Sequence, residues 1–423
     1  MQPVRGAAPI YNLSHMFRIA AATSLVFVCS LNAAEAIPRS EYAERRAKLQ
    51  KSLDGVIVLF GRDQGTDEVF REFQDTSFLY FTGIEEAGAV LLVSPKEEIL
   101  FLPKRNDKLE KFTGPKLGPN DSDVKTRTGF SDVQPLERFE SRLFKAAEDY
   151  YKIYAFNNHA ATSKLKTLLP LRQLADAREP IGKLRMKKSP AEIAAIQHAT
   201  DVTIQAQFAA WKKLQPGAYE YQAGAAFVGS LMEQGCERVA YAPIVGSGPN
   251  STILHYNAST RRMDRGEVVV LDAAAECAGY TSDITRTVPV GGKFSARQRE
   301  IYSVVLGAQN AAMAAAKPGV PMADLAKIAK KYMDDNGNYG KYFIHGLGHP
   351  VGLDVHDLGE SRPLEAGDVV TIEPGIYIPE EGIGVRIEDV ILITETGYKL
   401  MSAALPREIA DVERAMAKDA LVR

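Results

Sequence analysis

Three of the chain's seven histidines, His345, His349 and His356, fall in the stretch KYFIHGLGHPVGLDVHD, Lys341 to Asp357. Imidazoles gathered this closely by glycine-rich turns are suited to holding metal or moving protons. Carboxylates stand in two other segments. Asp272 and Asp283 lie in VVVLDAAAECAGYTSDITRTV (268–288), and Glu373 and Glu388 in VVTIEPGIYIPEEGIGVRIEDVILIT (369–394). Each segment reads as two runs of branched residues around a tight turn. Asp272 and Asp283 are equidistant from Cys277–Ala278, as Glu373 and Glu388 are from Glu380–Glu381. In a symmetric hairpin each pair would face across the strands with Cβ atoms about 4.5 to 5.5 Å apart. Like charges so placed destabilise a sheet, and drying four of them costs more, so positive charge must lie between them. Arg286 and Arg386 are the basic residues inside these hairpins, and one guanidinium could pair with part of the charge. A carboxylate-rich pocket completed by a histidine is the composition expected for two divalent cations.

The elements that must position these groups repeat. A shift of 101 residues brings Tyr241 onto Tyr342, Pro249 onto Pro350, His255 onto His356, Gly266 onto Gly367 and Asp272 onto Glu373. Ser189-Pro190-Ala191-Glu192 is a capping box with proline at the first helical position, opening a helix to about Lys213. His198 and Trp211 on it read as helix face and core rather than as ligands. Pro216-Gly217 ends that helix and a second follows to Gln234-Gly235. The helix capped by Ser295 and Gln298 ends likewise at Pro318-Gly319, before another that runs to Asn336-Gly337. Two copies of helix, strand and hairpin predict a two-lobed domain with the site where the copies face each other.

Upstream, VIVLF (56–60), AVLLVS (89–94) and EILFLP (98–103) read as buried strands, the last two a hairpin through Ser94–Glu97. A helix is expected over 136–151 and a strand over 153–156, which makes this half a mixed α/β domain without a ligand cluster. Its one histidine, His159, reads as a surface residue. The basic run REPIGKLRMKK (178–188) reads as a solvated linker between the halves. Arg18 leads into a 13-residue apolar run, and Ala34-Glu35-Ala36 resembles a cleavage site. That pattern predicts an exported chain with a signal peptide over 1–36. Cys236 and Cys277 then remain, too few for a disulfide framework, and are expected as small core residues, with a single bridge between them as the alternative. A formal net charge of -2 removes any electrostatic case for nucleic acid as a partner.

The segments IVGSGPNSTILHY (244–256), LDAAAECAGYTSDITRTVPVGGKFSARQREIY (271–302), HGLGHPVGLDVHD (345–357), IEPGIY (372–377) and GIGVRIEDV (382–390) together resemble the pita-bread metallopeptidases. Within them the resemblance is to the Xaa-Pro aminopeptidases and prolidases, and it spans nearly all of the chain after residue 36. It implies an α/β (α+β) protein, with an N-terminal domain over 37–180 and a duplicated catalytic domain over 181–423. Carried over residue by residue, it implies Asp272, Asp283, His349, Glu373 and Glu388 as ligands of two divalent ions. Mn²⁺ suits the oxygen-rich set, and Co²⁺, Zn²⁺ or Fe²⁺ are compatible. Glu373 would also act as general acid/base, and His356 would stabilise the oxyanion. His255 and His345 would line the substrate pocket, and Tyr241 and Arg386 would orient the first aspartate. The implied substrates are peptides with proline in second position, and the implied assembly is a homo-oligomer, dimer or tetramer. A prolidase-like dipeptidase is the alternative. A peptide-binding module or a creatinase-like C–N hydrolase stands further off, since the five ligand positions are intact.

Overall fold

The structure is a computed structural model and describes residues 37–63, 72–157 and 160–417. The expected leader and His159 lie outside these residues. Strands β1 (Val56–Phe60), β2 (Val90–Val93), β3 (Glu98–Leu102), β4 (Val133–Pro135), β5 (Lys152–Ala155) and β6 (Gln173–Asp176) form one sheet in the order β4-β3-β2-β1-β5-β6. The β1–β2 and β2–β3 pairings are antiparallel, and the outer three are parallel. Alternation along the strands divides the apolar residues between two cores. Ile57, Leu59, Leu91 and Leu100 enter one, and Val58, Leu92, Ile99 and Phe101 the other. The first of these cores continues into Tyr280, Val351, Leu353 and Val369, so the sheet is joined to the second half by apolar packing.

The second half is built on the two helix pairs expected from the punctuation. Helices Pro190–Trp211 and Glu220–Glu233 make the first pair, and Ala296–Ala315 and Met322–Asp335 the second. Both long helices open with the full reciprocal capping box, Ser189 with Glu192 and Ser295 with Gln298. Trp211 is fully buried, and its indole N–H donates to Gln207 at 3.2 Å. The strands they cover are β7 (Arg238–Val239), β8 (Ile244–Ser247), β9 (Val268–Asp272), β10 (Ala275–Cys277), β11 (Tyr280–Thr281) and β12 (Thr285–Pro289) in the first copy. The second contributes β13 (Val369–Ile372), β14 (Gly375–Ile378), β15 (Ile383–Arg386), β16 (Asp389–Ile393) and β17 (Tyr398–Leu400).

Three expectations need correction. The first hairpin turns at Ala278–Gly279, both with positive φ (54° and 77°), one residue beyond the expected centre. Such a two-residue turn suits strands of native twist, and it sets Asp272 opposite Thr285 instead of Asp283. Because the slip is two residues, Asp283 keeps its face and lies diagonal to Asp272. The second hairpin has the expected register: Ile372 pairs with Asp389 and Gly375 with Arg386, which brackets Glu373 opposite Glu388.

Second, the run Arg178–Lys188 is no solvated linker. Arg178–Met186 is a helix, with Pro180 in its first turn where the missing N–H costs nothing, and Arg185 and Lys188 are buried. Burial is possible because acids from the second half pair with both cations. Third, Cys236 and Cys277 are buried but bonded to each other as a disulfide, with Cα atoms 4.5 Å apart. The bridge ties the end of β10 to the segment before β7, so neither sulfur is free to join the nearby His198 as a ligand.

Candidate metal centre

Asp272 ends β9, where Tyr241 and Arg386 hold its two oxygens. Arg386 Nη2 donates to Oδ2 at 2.6 Å, and the Tyr241 hydroxyl contacts Oδ1. The same hydroxyl lies 2.5 Å from Asp283 Oδ1. One O–H proton cannot serve both carboxylates, so the remaining close oxygen pair calls for another positive charge. Arg386 is fixed in turn by Thr285 Oγ1, which its Nε reaches at 3.2 Å, and by the Tyr377 hydroxyl at 2.9 Å.

Glu388 Oε2 accepts from Thr285 Oγ1 at 2.7 Å. Opposite it, Glu373 Oε1 lies 3.5 Å from His349 Nε2, which is also 3.4 Å from Asp283 Oδ2. The β13 edge sets the position of His349. Its backbone N–H donates to Thr371 Oγ1, the Thr371 N–H donates to the His349 carbonyl, and a Cβ on Gly348 would collide with the Thr371 carbonyl. Nδ1 faces the Pro350 carbonyl at 3.1 Å, which only accepts, so Nδ1 carries the proton and Nε2 points at the acids. This is how a metal-binding imidazole is usually oriented.

The electrostatics agree. Burial raises the pKa of Glu388 well above the carboxylate range, and the neighbouring Asp283, Glu373 and Asp272 add to the shift. Asp283 and Glu373 are raised for the same first reason. For His349 burial lowers the pKa, but the Asp283 hydrogen bond and the fields of Asp283 and Glu373 outweigh it, bringing it to about 9. The acids thus demand a cation, and without a metal a proton on His349 meets part of that demand. Asp283, His349 and Glu388 bring ligand atoms within 4.8 Å of one another. With Asp272 and Glu373 beside them, the donor set is hard oxygen plus one imidazole, which fits divalent cations.

His255, His345 and His356 line the same cavity, of about 560 Å³, with Tyr241, the four acids, His349 and Arg386. The ten residues singled out in the sequence are therefore brought together. His345 differs from expectation in one respect. Its Nδ1 faces the Gly346 carbonyl at 2.8 Å and its Nε2 the Tyr377 hydroxyl at 2.9 Å. The Tyr377 oxygen already accepts from Arg386, so its proton goes to His345 Nε2 and the ring is neutral. Burial and the Arg386 charge lower its pKa to about 4. Tyr377 had no role assigned from the sequence, although it stands four residues after Glu373, on β14. Burial, then the His349 charge, lowers the His356 pKa.

Paired hairpins over helix pairs, with acids and one imidazole converging between the copies, define a pita-bread metallohydrolase behind an α/β N-terminal domain. Residues 194–395 match the model of metallopeptidase family M24, and 42–154 that of the aminopeptidase P N-terminal domain. The Xaa-Pro aminopeptidase of Haemophilus influenzae is 33% identical, covering 90% of this chain and 98% of its own. The Xaa-Pro dipeptidase of Pyrococcus furiosus is 34% identical over 82% of this chain and 96% of its own. Zn-substituted Escherichia coli aminopeptidase P superposes with a TM-score of 0.82 at 29% identity, covering 90% of this chain and 98% of that one. The chain belongs to the Xaa-Pro aminopeptidase family. It is a divalent-metal exopeptidase, a hydrolase.

Proposed function

We propose that this enzyme removes the N-terminal residue from peptides whose second residue is proline. Asp272, Asp283, His349, Glu373 and Glu388 would hold two divalent ions, Mn²⁺ first among them. The observation that carries the assignment is the Tyr241 hydroxyl shared by Asp272 and Asp283, with His349 Nε2 facing the neighbouring acids. When bound, such ions would lower the pKa of a water towards neutrality and so supply a hydroxide nucleophile at ordinary pH. Glu373, 3.5 Å from His349 Nε2 and lining the cavity, would take the proton and deliver it to the prolyl nitrogen, which cannot leave unprotonated. His356 donates to the oxyanion as the carbonyl becomes tetrahedral. The neutral ring of His345 and the ring of His255 wall the pocket for a proline ring, which offers no N–H to bind.

Longer peptides are preferred over Xaa-Pro dipeptides. Arg386 is the guanidinium lining the cavity, and Asp272 and Tyr377 engage it, so among the described residues no arginine or lysine there is left to grip a dipeptide's terminal carboxylate. Export is supported by the leader-like pattern together with a buried disulfide, a bond at home in oxidising compartments. A homo-oligomer is the expected assembly. Metal-loaded and chelator-stripped protein, assayed on Xaa-Pro, Xaa-Pro-Yaa and Xaa-Pro-Yaa-Zaa, tests the reading. Cleavage of the longer peptides that disappears with the metal is expected; cleavage of the dipeptide alone overturns it.

A further inference from the structure

The helix Arg178–Met186 buries Arg185 to 1% exposure and aims it at the loop that follows His349. Arg185 Nη2 donates to Asp354 Oδ2 at 2.9 Å and to Asp357 Oδ1. Lys188, three residues beyond Arg185, brings Nζ to 3.1 Å from the other Asp357 oxygen. The N-terminal half closes the cluster: Thr76 Oγ1 donates to Asp354 at 2.8 Å, and Arg185 Nη1 donates to the Thr76 and Ser77 hydroxyls at 3.2 Å. Both cations and the Asp357 carboxylate are withdrawn from water here, while Asp354 stays 39% exposed at the rim. Such clusters add little stability over apolar packing of equal volume, because desolvation offsets the attraction. Their directional bonds instead hold the loop in one arrangement.

The backbone of His349 is tied to Thr371 on β13 at its N–H and its carbonyl, and the loop reaches its ring through the Pro350 carbonyl. His356 lacks any such tie. Its ring meets the edge of His349 with centroids 4.2 Å apart, and among the described residues neither ring nitrogen has a hydrogen-bond partner. The next residue is Asp357, whose N–H donates to the Pro350 carbonyl at 3.0 Å and whose carboxylate Arg185 and Lys188 grip. The place of the His356 ring therefore follows from the place of Asp357.

We propose that Arg185 and Lys188 are positioning residues that set His356 against the reacting carbonyl, coupling the N-terminal half to catalysis through the Asp354–Asp357 loop. This rests on the proposed role of His356. The test is a double-mutant cycle on the full-length, metal-loaded enzyme with an Xaa-Pro-Yaa peptide, using Arg185→Met, His356→Ala and both together. Arg185→Met should lower kcat by about 10- to 100-fold, the scale of a misplaced catalytic group, with KM within about threefold. The double variant should be no slower than His356→Ala alone. Arg185→Lys, which keeps charge without the fork, should recover part of the rate, and bound metal per chain should not change. Multiplicative losses, or loss of metal with Arg185→Met, overturn the inference. If Arg185→Met does not fold, Asp354→Asn at the more exposed rim goes through the same cycle with the same opposed outcomes. A wild type that cleaves no proline peptide overturns the proposed function and this inference together; multiplicative losses in an active enzyme overturn this inference alone.

Discussion

The two hairpin copies lend each other their arginines, but only one loan serves the cavity. Arg386 of the second copy reaches Asp272 of the first at 2.6 Å, beside the other acids. Arg286 of the first copy reaches Asp389 of the second at 2.7 Å, with both side chains wholly buried and outside the cavity lining. Gln207 and Gln309, one on each long helix, are another such pair. Gln207 Nε2 donates to the Ala273 and Ile284 carbonyls, and Gln309 Nε2 to those of Ile372 and Ile387, at 3.0 to 3.3 Å. Each glutamine thus bridges the two strands where the hairpin opens beside its acids. Symmetry supplies the frame and the carboxylates. Asymmetry supplies the rest: His349 falls opposite Gly248 at the 101-residue offset, and the disulfide of the first copy falls opposite Gly337 and Ile378.

That comparison can be broken at several depths. The largest effect is expected from Glu373→Gln, which should cost at least about 10³-fold in kcat with the fold retained, as judged by circular dichroism. Near-normal turnover would remove Glu373 from the chemistry. Arg286→Met leaves buried Asp389 with only the more distant Arg407, at 4.0 Å, as a charge partner and should destabilise by about 3 kcal/mol in urea unfolding. The kcat of its folded fraction should stay within about threefold of wild type. A stable but slow Arg286→Met enzyme would mean that both arginines serve the site. Cys277→Ser should lower stability by about 2 to 4 kcal/mol relative to the oxidised wild type, and reduction of the wild type should reproduce that loss. An unchanged midpoint would make the bridge dispensable to the first copy. The smallest effect should come from Gln207→Leu and Gln309→Leu, each removing the side-chain donor to two buried carbonyls at about 1 to 3 kcal/mol. Gln207→Leu also strips the buried Trp211 indole N–H of its acceptor, and Gln309→Leu strips Asp389 of a donor at 3.0 Å, so similar losses are expected; a difference above about 1 kcal/mol would make the two clamps unequal.

The sequence was legible where local chemistry decides the outcome. Capping boxes and Pro-Gly breaks placed the four helices of the second half, and alternating branched residues placed β1 to β3. The second hairpin kept its expected register because its loop is centred on Glu380–Glu381. The first did not, although Gly279 was a visible sign that the turn lay one residue further on. What could not be read depends on distant partners. Arg185 and Lys188 look like solvated charges until Asp354 and Asp357 are brought to them, and Tyr377 acquires a role only once Arg386 and His345 flank it. Nor do Cys236 and Cys277 declare a bridge by number alone.

Metal stoichiometry measured alongside activity tests the central claim most directly. Protein stripped by chelator should be inactive on an Xaa-Pro-Yaa peptide, should bind two Mn²⁺ per chain in calorimetry, and should regain turnover as those sites fill. His349→Ala should bind fewer ions and stay inactive at the same Mn²⁺. Full activity after exhaustive chelation, or undiminished metal binding and turnover in His349→Ala, would contradict the account.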